Sequence, residues 1–369
     1  MCVRQRNCGE SNVKDAMMRH ENVKIRDALV ERGILRCDDL GDLRVYTYVD
    51  HHKDWDETTI NSRGIVLNRE TGEVVAHPFP KFFNMGQRVE TQERNLPWHD
   101  GFRIFVKEDG WLGTLYRHNG KYGIATRGSF KSPGAVWATK FLENYNLSML
   151  PDEITLVFEI VSPQTRIIVD YGDREDLVLL AAYNRHTGEE LDWDYVTEIS
   201  RCFGFTLVES MGQEWLGSCR GHLKTASGTK MEGFVIRFDN GLRVKLKGDD
   251  YLRRAHILAR LTPLTVWDNM EFGVVDPMLW EVLDVDYHDR LREMASALRR
   301  EYERVRTEIV SQFDQIADET DPAEFAKKAQ RMSHGHAMFA MRDGMDNRIE
   351  NYIMKSIRPK NNVIGHEKG

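Results

Sequence analysis

The sequence predicts an α+β chain in which a mostly antiparallel β region, residues 1–254, precedes an all-helical region, residues 255–369. Three observations predict it. Short alternating apolar runs, several joined through Thr-Gly or Asn-Gly pairs, recur from Leu43 to Lys247, the pattern of strands linked by tight turns. Beyond Arg253 the period lengthens. Leu291, Met294, Leu298, Tyr302, Val305, Ile309, Phe313 and Ile316 recur at spacings of three and four, one apolar face of a long helix. The length of 369 residues accommodates roughly two domains, each able to bury a core.

The elements follow in order. Residues 13–33, VKDAMMRHENVKIRDALVERG, read as a helix stopped by Gly33. Strands are expected in LRVYTYV, RGIVLNRETGEVVAH, FRIFVKEDG, GTLYRHNGKYGIATR, EITLVFEIV, DLVLLAAYNRHTGEEL and GFVIRFDNGLRVKLK. Asn119-Gly120 and Asn240-Gly241 carry the strongest hairpin signals. Helices interrupt the strands near residues 134–146 and 195–203. Further on, Asp321 as cap, Pro322 in the first turn and Glu324 as a capping-box acid start one helix. DGMDNRIENYIMKSIRP forms a last one, stopped by Pro359.

Composition excludes several classes. Hydrophobic and charged shares of 41% and 30% are those of a globular protein, not a disordered or fibrous one. No apolar run is long enough to span a membrane, and MCVRQRNCGE lacks the apolar core of a secretory signal. Five cysteines without CxxC spacing argue for reduced thiols in a cytosol-like compartment, against a zinc ribbon or a disulfide framework. The net charge of −7 gives no global attraction to nucleic acid, so any phosphate contact must use a local basic surface.

Lys107 is the residue that raises a chemical question. The apolar strand FRIFV runs directly into Lys107, Glu108, Asp109 and Gly110. A lone lysine there would be a strand-end charge reaching water. Yet Lys245 and Lys247 alternate in RVKLKG and so share one strand face; Lys81 precedes a Phe-Phe-Asn turn and Arg63 opens RGIVL. So much positive charge suggests a polyanionic ligand such as a nucleoside triphosphate. Neighbouring cations and partial burial would disfavour the ammonium of Lys107 and expose a nucleophilic amine. Nearby carboxylates suit a metal-bound phosphate. The phosphate-loop pattern G-x-x-x-x-G-K-[S/T] is absent.

The ordered series RGIVL, PKFFN, KEDGWL, TRGSF, LVFEIVSP, EGFVIRF and RVKLKGDDY resembles the covalent nucleotidyltransferase superfamily. Within it, the series is similar to the tRNA-repairing, ATP-dependent RNA ligases of T-even phages. The resemblance implies an antiparallel-sheet nucleotidyltransferase (ATP-grasp-like ligase) domain followed by the helical one. It implies that Lys107 attacks the α-phosphate of ATP to form lysyl-AMP, that AMP passes to an RNA 5′-phosphate, and that a 3′-hydroxyl then seals the strand. Glu159 matches a carboxylate near the ribose, and Glu232 one that places the metal, Mg²⁺ or Mn²⁺, or its waters. Lys245 and Lys247 match the pair on the phosphates. Tyr48, Arg63 and Lys81 match positions that embrace the ATP phosphates, and Arg127 a basic position commonly held by lysine. Asp109 and Gly110 complete the nucleotide-binding lysine motif, and Asp276 lies where a third metal-binding acid is expected. The resemblance further implies an RNA substrate with 3′-hydroxyl and 5′-phosphate ends, a broken tRNA selected by the helical domain. An end-healing kinase or phosphatase would act in trans, and the setting would be the cytoplasm, or a host's cytoplasm for a phage-encoded enzyme.

Trp111 departs from the resembled pattern, which has a small residue there. Tyr183 lies near the segment that stacks on adenine in relatives, with core packing as the alternative. His51-His52 and His334-Gly-His336 lack further ligands at metal spacing and read as surface or RNA-contacting residues. Arg299, Arg300, Arg304 and Arg306 read equally as an RNA stripe or a solvated mixed-charge face; YLRRAHILAR is the better basic patch. A DNA ligase or an mRNA guanylyltransferase would share the lysine chemistry. Those families carry arginine where this chain has Leu112 and append a β-barrel where this chain reads as helices. A non-catalytic RNA-binding relative would have no need of the nucleophile.

Overall fold

The fold was analysed in a computed structural model that describes residues 8–49, 52–283 and 288–360. The chain divides into two units, Met1–Leu252 and Arg253–Gly369. The first contains α1 (Cys8–Glu31), β1 (Leu35–Leu40), β2 (Leu43–Tyr48), α2 (Glu57–Ile60), β3 (Arg63–Asn68), β4 (Val74–Ala76) and β5 (Phe83–Asn84). It continues through β6 (Phe102–Lys107), β7 (Trp111–His118), β8 (Lys121–Thr126), α3 (Pro133–Phe141), β9 (Ile154–Val161), β10 (Asp176–Asn184) and α4 (Trp193–Phe203). It closes with β11 (Thr206–Leu207), β12 (Ser210–Gly212), α5 (Leu216–Thr225), β13 (Gly233–Phe238) and β14 (Arg243–Lys247); α6 (Asp249–Arg260) begins here and ends in the second unit.

Three sheets result. Their strand orders are β1-β2-β3-β4, then β11-β10-β9-β7-β8, then β12-β6-β13-β14-β5. Pairing is antiparallel except for β10 with β11 and β14 with β5. The second sheet buries one face under α3 and α4, where Phe158, Ile160, Leu177 and Leu179 meet Ala138, Leu142, Val196 and Ile199. The third buries one face under α5, where Ile104, Ile236 and Val244 meet Cys219 and Leu223. The remaining faces meet each other: Val161 and Val178 pack with Phe105 and Val235. Strand β9 is therefore covered on both sides, which explains why LVFEIV is a continuous apolar run rather than an alternating one. Its single carboxylate, Glu159, is correspondingly a buried one.

The Asn119-Gly120 pair forms the expected two-residue hairpin between β7 and β8, with φ of 50° and 74°. Asn240-Gly241 closes β13–β14 differently. Only Gly241 has positive φ, and Phe238 and Leu242 bracket a three-residue loop. Strand β10 carries an irregularity at Leu180, where its register on β9 slips by one residue.

The second unit contains α7 (Pro263–Asp268), β15 (Met270–Glu271), β16 (Val274–Val275), α8 (Pro277–Val282), α9 (His288–Asp314), α10 (Pro322–Ala329), α11 (Gly335–Arg342) and α12 (Asp346–Ser356). The all-helical expectation is thus corrected by one antiparallel pair, β15–β16. Its turn, Phe272 and Gly273 with φ of 50° and 75°, is made by two-residue strands too short to show an alternation. The apolar face of α9 is buried as its spacing requires, Leu291 through Ile309. At α10 the Asp321 carboxylate accepts from Ala323 N, while Glu324 pairs with Lys327 instead of closing a capping box.

Candidate active site

A cavity open to solvent lies between the second and third sheets. Lys107 ends β6 and Lys245 sits on β14 in the third sheet; Glu159 and Leu180 come from the second; Arg63 enters from the first. Phe79 and Phe82, from the segment before β5, supply its aromatic wall. Three sheets therefore converge on one hollow.

Glu232 organises its charge. The carboxylate, almost wholly buried, accepts from Lys107 Nζ at 2.8 Å through Oε2 and pairs with Lys247 Nζ at 2.8 Å through Oε1. Burial pushes the Glu232 carboxyl up, but the two ammoniums outweigh it and hold it below the usual range. Lys107 shows the reciprocal balance. Burial favours its neutral amine, yet Glu232, Glu159 and Asp109 outweigh burial and hold the ammonium above the ordinary lysine value. The expectation of a depressed Lys107 is therefore corrected: the carboxylates around the amine outweigh both its burial and the cations nearby. The depressed lysine is Lys245, lowered to about 6 by burial and by Arg63, Lys107, Lys247 and Lys81.

The loop after Lys107 is fixed at every residue. Gly110 is required by close approach, because a Cβ there would lie 2.3 Å from Ile160 O; its N–H donates to Glu159 Oε1 at 3.1 Å. The Asp109 carboxylate is spent internally, accepting from Ile168 N and Val169 N at 2.8 Å and from Tyr251 Oη at 2.7 Å. Asp109 thus anchors the loop through three internal hydrogen bonds. Tyr171 Oη accepts from Asp109 N, and Arg174 pairs with Glu108. Gly233, next to Glu232, has φ of 151°, and a Cβ there would meet Leu246 O at 2.1 Å. Both glycines let strands close on the two carboxylates.

A second cationic group surrounds Tyr48 at the end of β2. Lys81 Nζ lies 4.7, 4.6 and 5.0 Å from the ring centroids of Tyr48, Trp55 and Phe83, and Arg127 lies over Tyr48 at 5.4 Å. Burial pushes the Tyr48 phenol up, but Arg63, Lys81 and Arg127 bring it below the ordinary tyrosine value. Arg63 Nη1 is buried without a hydrogen-bond partner among the described residues, an unusual state for a guanidinium that an anion in the cavity would relieve.

Glu159, buried on β9, is raised to about 7, chiefly by burial. Its Oε1 takes the Gly110 amide, whereas Glu232 is the carboxylate hydrogen-bonded to the Lys107 amine. No group of three metal-type side chains exists among the described residues. One or two carboxylates with phosphate and water is nevertheless the donor set that Mg²⁺ uses in nucleotide sites, so Glu159 and Glu232 fit such an ion. Asp276 belongs to the second unit, where its carboxylate caps α8 through Met278 N.

Other expectations resolve structurally. Tyr183 is a buried core residue, stacked on His77 and edge-on to Phe79. Trp111 packs on the core under α3. His334 bonds Glu308 and Tyr352, and Arg304 pairs with Glu301 and Glu308, a mixed-charge face. His51 lies outside the described residues; His52 packs edge-on to Trp55. Sequence reasoning missed Phe79, Leu180, Arg243 and Tyr251. Of these, Arg243 and Tyr251 stood inside the quoted segment RVKLKGDDY.

Comparison with known proteins accords with this geometry. Residues 61–252 match the RNA ligase family model. The chain belongs to the RNA ligase family. It is 27% identical over 241 residues to a putative bifunctional polynucleotide kinase/RNA ligase of Autographa californica nuclear polyhedrosis virus, covering 57% of this chain and 33% of the relative. It is 27% identical over 209 residues to a putative RNA ligase of Thermovibrio ammonificans, covering 53% and 52%. This member of the family thus spans a third to about half the length of these two curated relatives. Among solved structures, a putative ATP-dependent DNA ligase from Aquifex aeolicus aligns over 80% of each chain at 16% identity with a TM-score of 0.46.

Proposed function

We propose that this RNA ligase family member joins RNA 3′-hydroxyl and 5′-phosphate ends with ATP, through a lysyl-AMP on Lys107 and an RNA-adenylate. The observation that carries this reading is the convergence of Lys107, Glu159, Arg63 and Lys245 on one cavity, with Glu232 bonded to the Lys107 amine. Residues 1–254 then act as an ATP-grasp-like nucleotidyltransferase domain and residues 255–369 as its RNA-selecting appendage.

In the first step Lys107 Nζ forms a bond to the α-phosphorus, pyrophosphate leaves, and the amine loses its proton. Glu232, already bonded to that amine, is placed to receive or relay the proton. Lys245, Arg63, Lys81 and Arg127 offer donors to the triphosphate where charge accumulates in transfer. A divalent ion held by Glu159 and Glu232 would add Lewis-acid charge at the phosphates. The AMP then moves to the 5′-phosphate of RNA, and a 3′-hydroxyl displaces it. End healing is assigned to another protein; the viral relative named as a kinase/ligase is matched over only a third of its length.

Incubation with α-³²P-ATP and Mg²⁺ or Mn²⁺ tests the reading. Acid-labile, hydroxylamine-sensitive label that is lost in Lys107→Ala supports it, and label retained by that variant overturns it. Preference for GTP would point to guanylyltransferase chemistry. Sealing of nicked DNA in preference to RNA would point to a DNA ligase. Removing residues 261–369 should spare lysine labelling and reduce sealing of a broken tRNA more than of a plain oligonucleotide.

A further inference from the structure

Arg237 on β13 and Arg243 on β14 are direct cross-strand partners, a like-charge pairing that is destabilising unless a third group neutralises it. The neutralising group comes from the neighbouring sheet. Glu190, which bridges back to Tyr183 at the end of β10, pairs through Oε1 with both Arg237 Nε at 3.1 Å and Arg243 Nη2. Its Oε2 accepts from Tyr183 Oη at 3.4 Å. Arg243 is itself mostly buried and lines the cavity, with its guanidinium 4.8 Å from the centroid of Phe79. Phe79 in turn meets Phe82 edge-on, and Lys245 lies 4.6 Å from the Phe82 centroid.

A chain of contacts therefore runs from Glu190, outside the cavity lining, to the cations and rings within it. Along β14 the side chains of Arg243, Lys245 and Lys247 share one face. The outer two are matched by Glu190 and Glu232, at opposite ends of that strand. Glu232 sits beside the nucleophile, whereas Glu190 touches no group assigned to the reaction. Its contacts instead join two sheets at the Phe79 end.

We propose that Glu190 is a positioning residue: it clasps Arg243 and Arg237 to the adjacent sheet, fixing the cavity width that admits the nucleotide. This rests on the reading of the cavity as the ATP site. Without the carboxylate, the two guanidiniums face each other uncompensated. Arg243 then swings from Phe79 and the aromatic wall loses its backing. ATP binding suffers, while the transfer step at Lys107, at the opposite end, proceeds once ATP is bound.

The test is single-turnover labelling of the full chain across ATP concentrations, with wild type, Glu190→Gln, Glu190→Asp and the exposed neighbour Glu189→Gln. Glu190→Gln should raise the half-saturating ATP concentration about tenfold and leave the saturated rate within about threefold, the pattern of lost binding rather than lost chemistry. Glu189→Gln should match wild type. Should Glu190→Gln fail to fold, Glu190→Asp, which keeps the charge and shortens the clasp, is read in its place. A raised half-saturation supports the clasp. An unchanged half-saturation, or a fall in saturated rate alone, overturns it, whatever the melting temperature does. A wild type that forms no Lys107-dependent adduct would sink the ATP-site reading itself, an outcome distinct from labelled protein with an indifferent Glu190.

Discussion

Glu232 Oε2 lies 2.8 Å from Lys107 Nζ, so the amine proposed to attack ATP is held as an ammonium by the same carboxylate that braces Lys247. This pairing makes the protonation of Lys107 adjustable by whatever changes the charge around Glu232.

Replacing Glu232 by Gln should therefore shift the acid limb of the lysine-labelling pH profile to lower pH. The sign follows from the shift: Lys107 is held above the ordinary lysine value chiefly against burial by carboxylates, Glu232 foremost, and removing that charge leaves burial to favour the neutral amine. The plateau should also fall, because Glu232 is the group proposed to receive or relay the amine's proton. An acid limb that stays put or moves upward would show that Glu232 does not govern this lysine. The variant should also lose about 3 kcal/mol or more of stability, since one partner of a buried ion pair is removed.

Glu159 makes wild-type stability depend on pH in a defined direction. In the fold its carboxyl titrates at about 7, chiefly through burial, against 4.5 for the free group. Between those values the folded state binds more protons than the unfolded one, so stability falls as pH rises from about 5 to 8. Glu159→Gln should flatten that fall and gain roughly 2–3 kcal/mol at pH 8. Denaturant melts at the two pH values measure it; equal slopes in both proteins would refute the assignment.

Lys245 predicts proton uptake on anion binding. Its amine, brought to about 6 by burial and four neighbouring cations, is mostly neutral at pH 7.5. A bound polyphosphate would restore the ammonium. Calorimetry with pyrophosphate, in buffers of differing ionisation enthalpy, should show the wild type taking up about one proton more, or releasing about one fewer, than Lys245→Met at pH 7.5. The same proton count in the wild type and the variant would place the titration elsewhere.

Gly110→Ala should abolish lysine labelling, because the added carbon would sit 2.3 Å from Ile160 O and push the Lys107 loop off Glu159. The strain should cost about 1–3 kcal/mol, read from the same melts. Full labelling by this variant would show that the loop tolerates a shift.

Much of this arrangement was legible in the chain itself. Lys107, Lys245 and Arg63 were picked out by residue type and strand position and Glu159 through the family resemblance, and they do line one cavity. What could not be read was which charges are neighbours. Glu232 is 125 residues from Lys107, so no local pattern shows that it cancels the lysine's cationic surroundings, and the depressed amine proved to be Lys245. The internal partners of Asp109 were hidden for a related reason: the amides of Ile168 and Val169 that its carboxylate accepts from lie 59 and 60 residues away. Short elements escaped as well. The strands Met270–Glu271 and Val274–Val275 are shorter than the period that would reveal them.

The irregularity at Leu180 has a further consequence. Leu177, Leu179 and Ala182 share the helix-covered side of β10, while Val178, Ala181 and Tyr183 turn toward the opposite side, as if Leu180 had been spliced into an otherwise regular strand. Excising that one leucine would leave each remaining residue facing its present neighbours and subtract only a piece of cavity lining. Evolution, or an engineer, can thus retailor what the hollow accommodates by a single-codon insertion or deletion without re-registering the sheet.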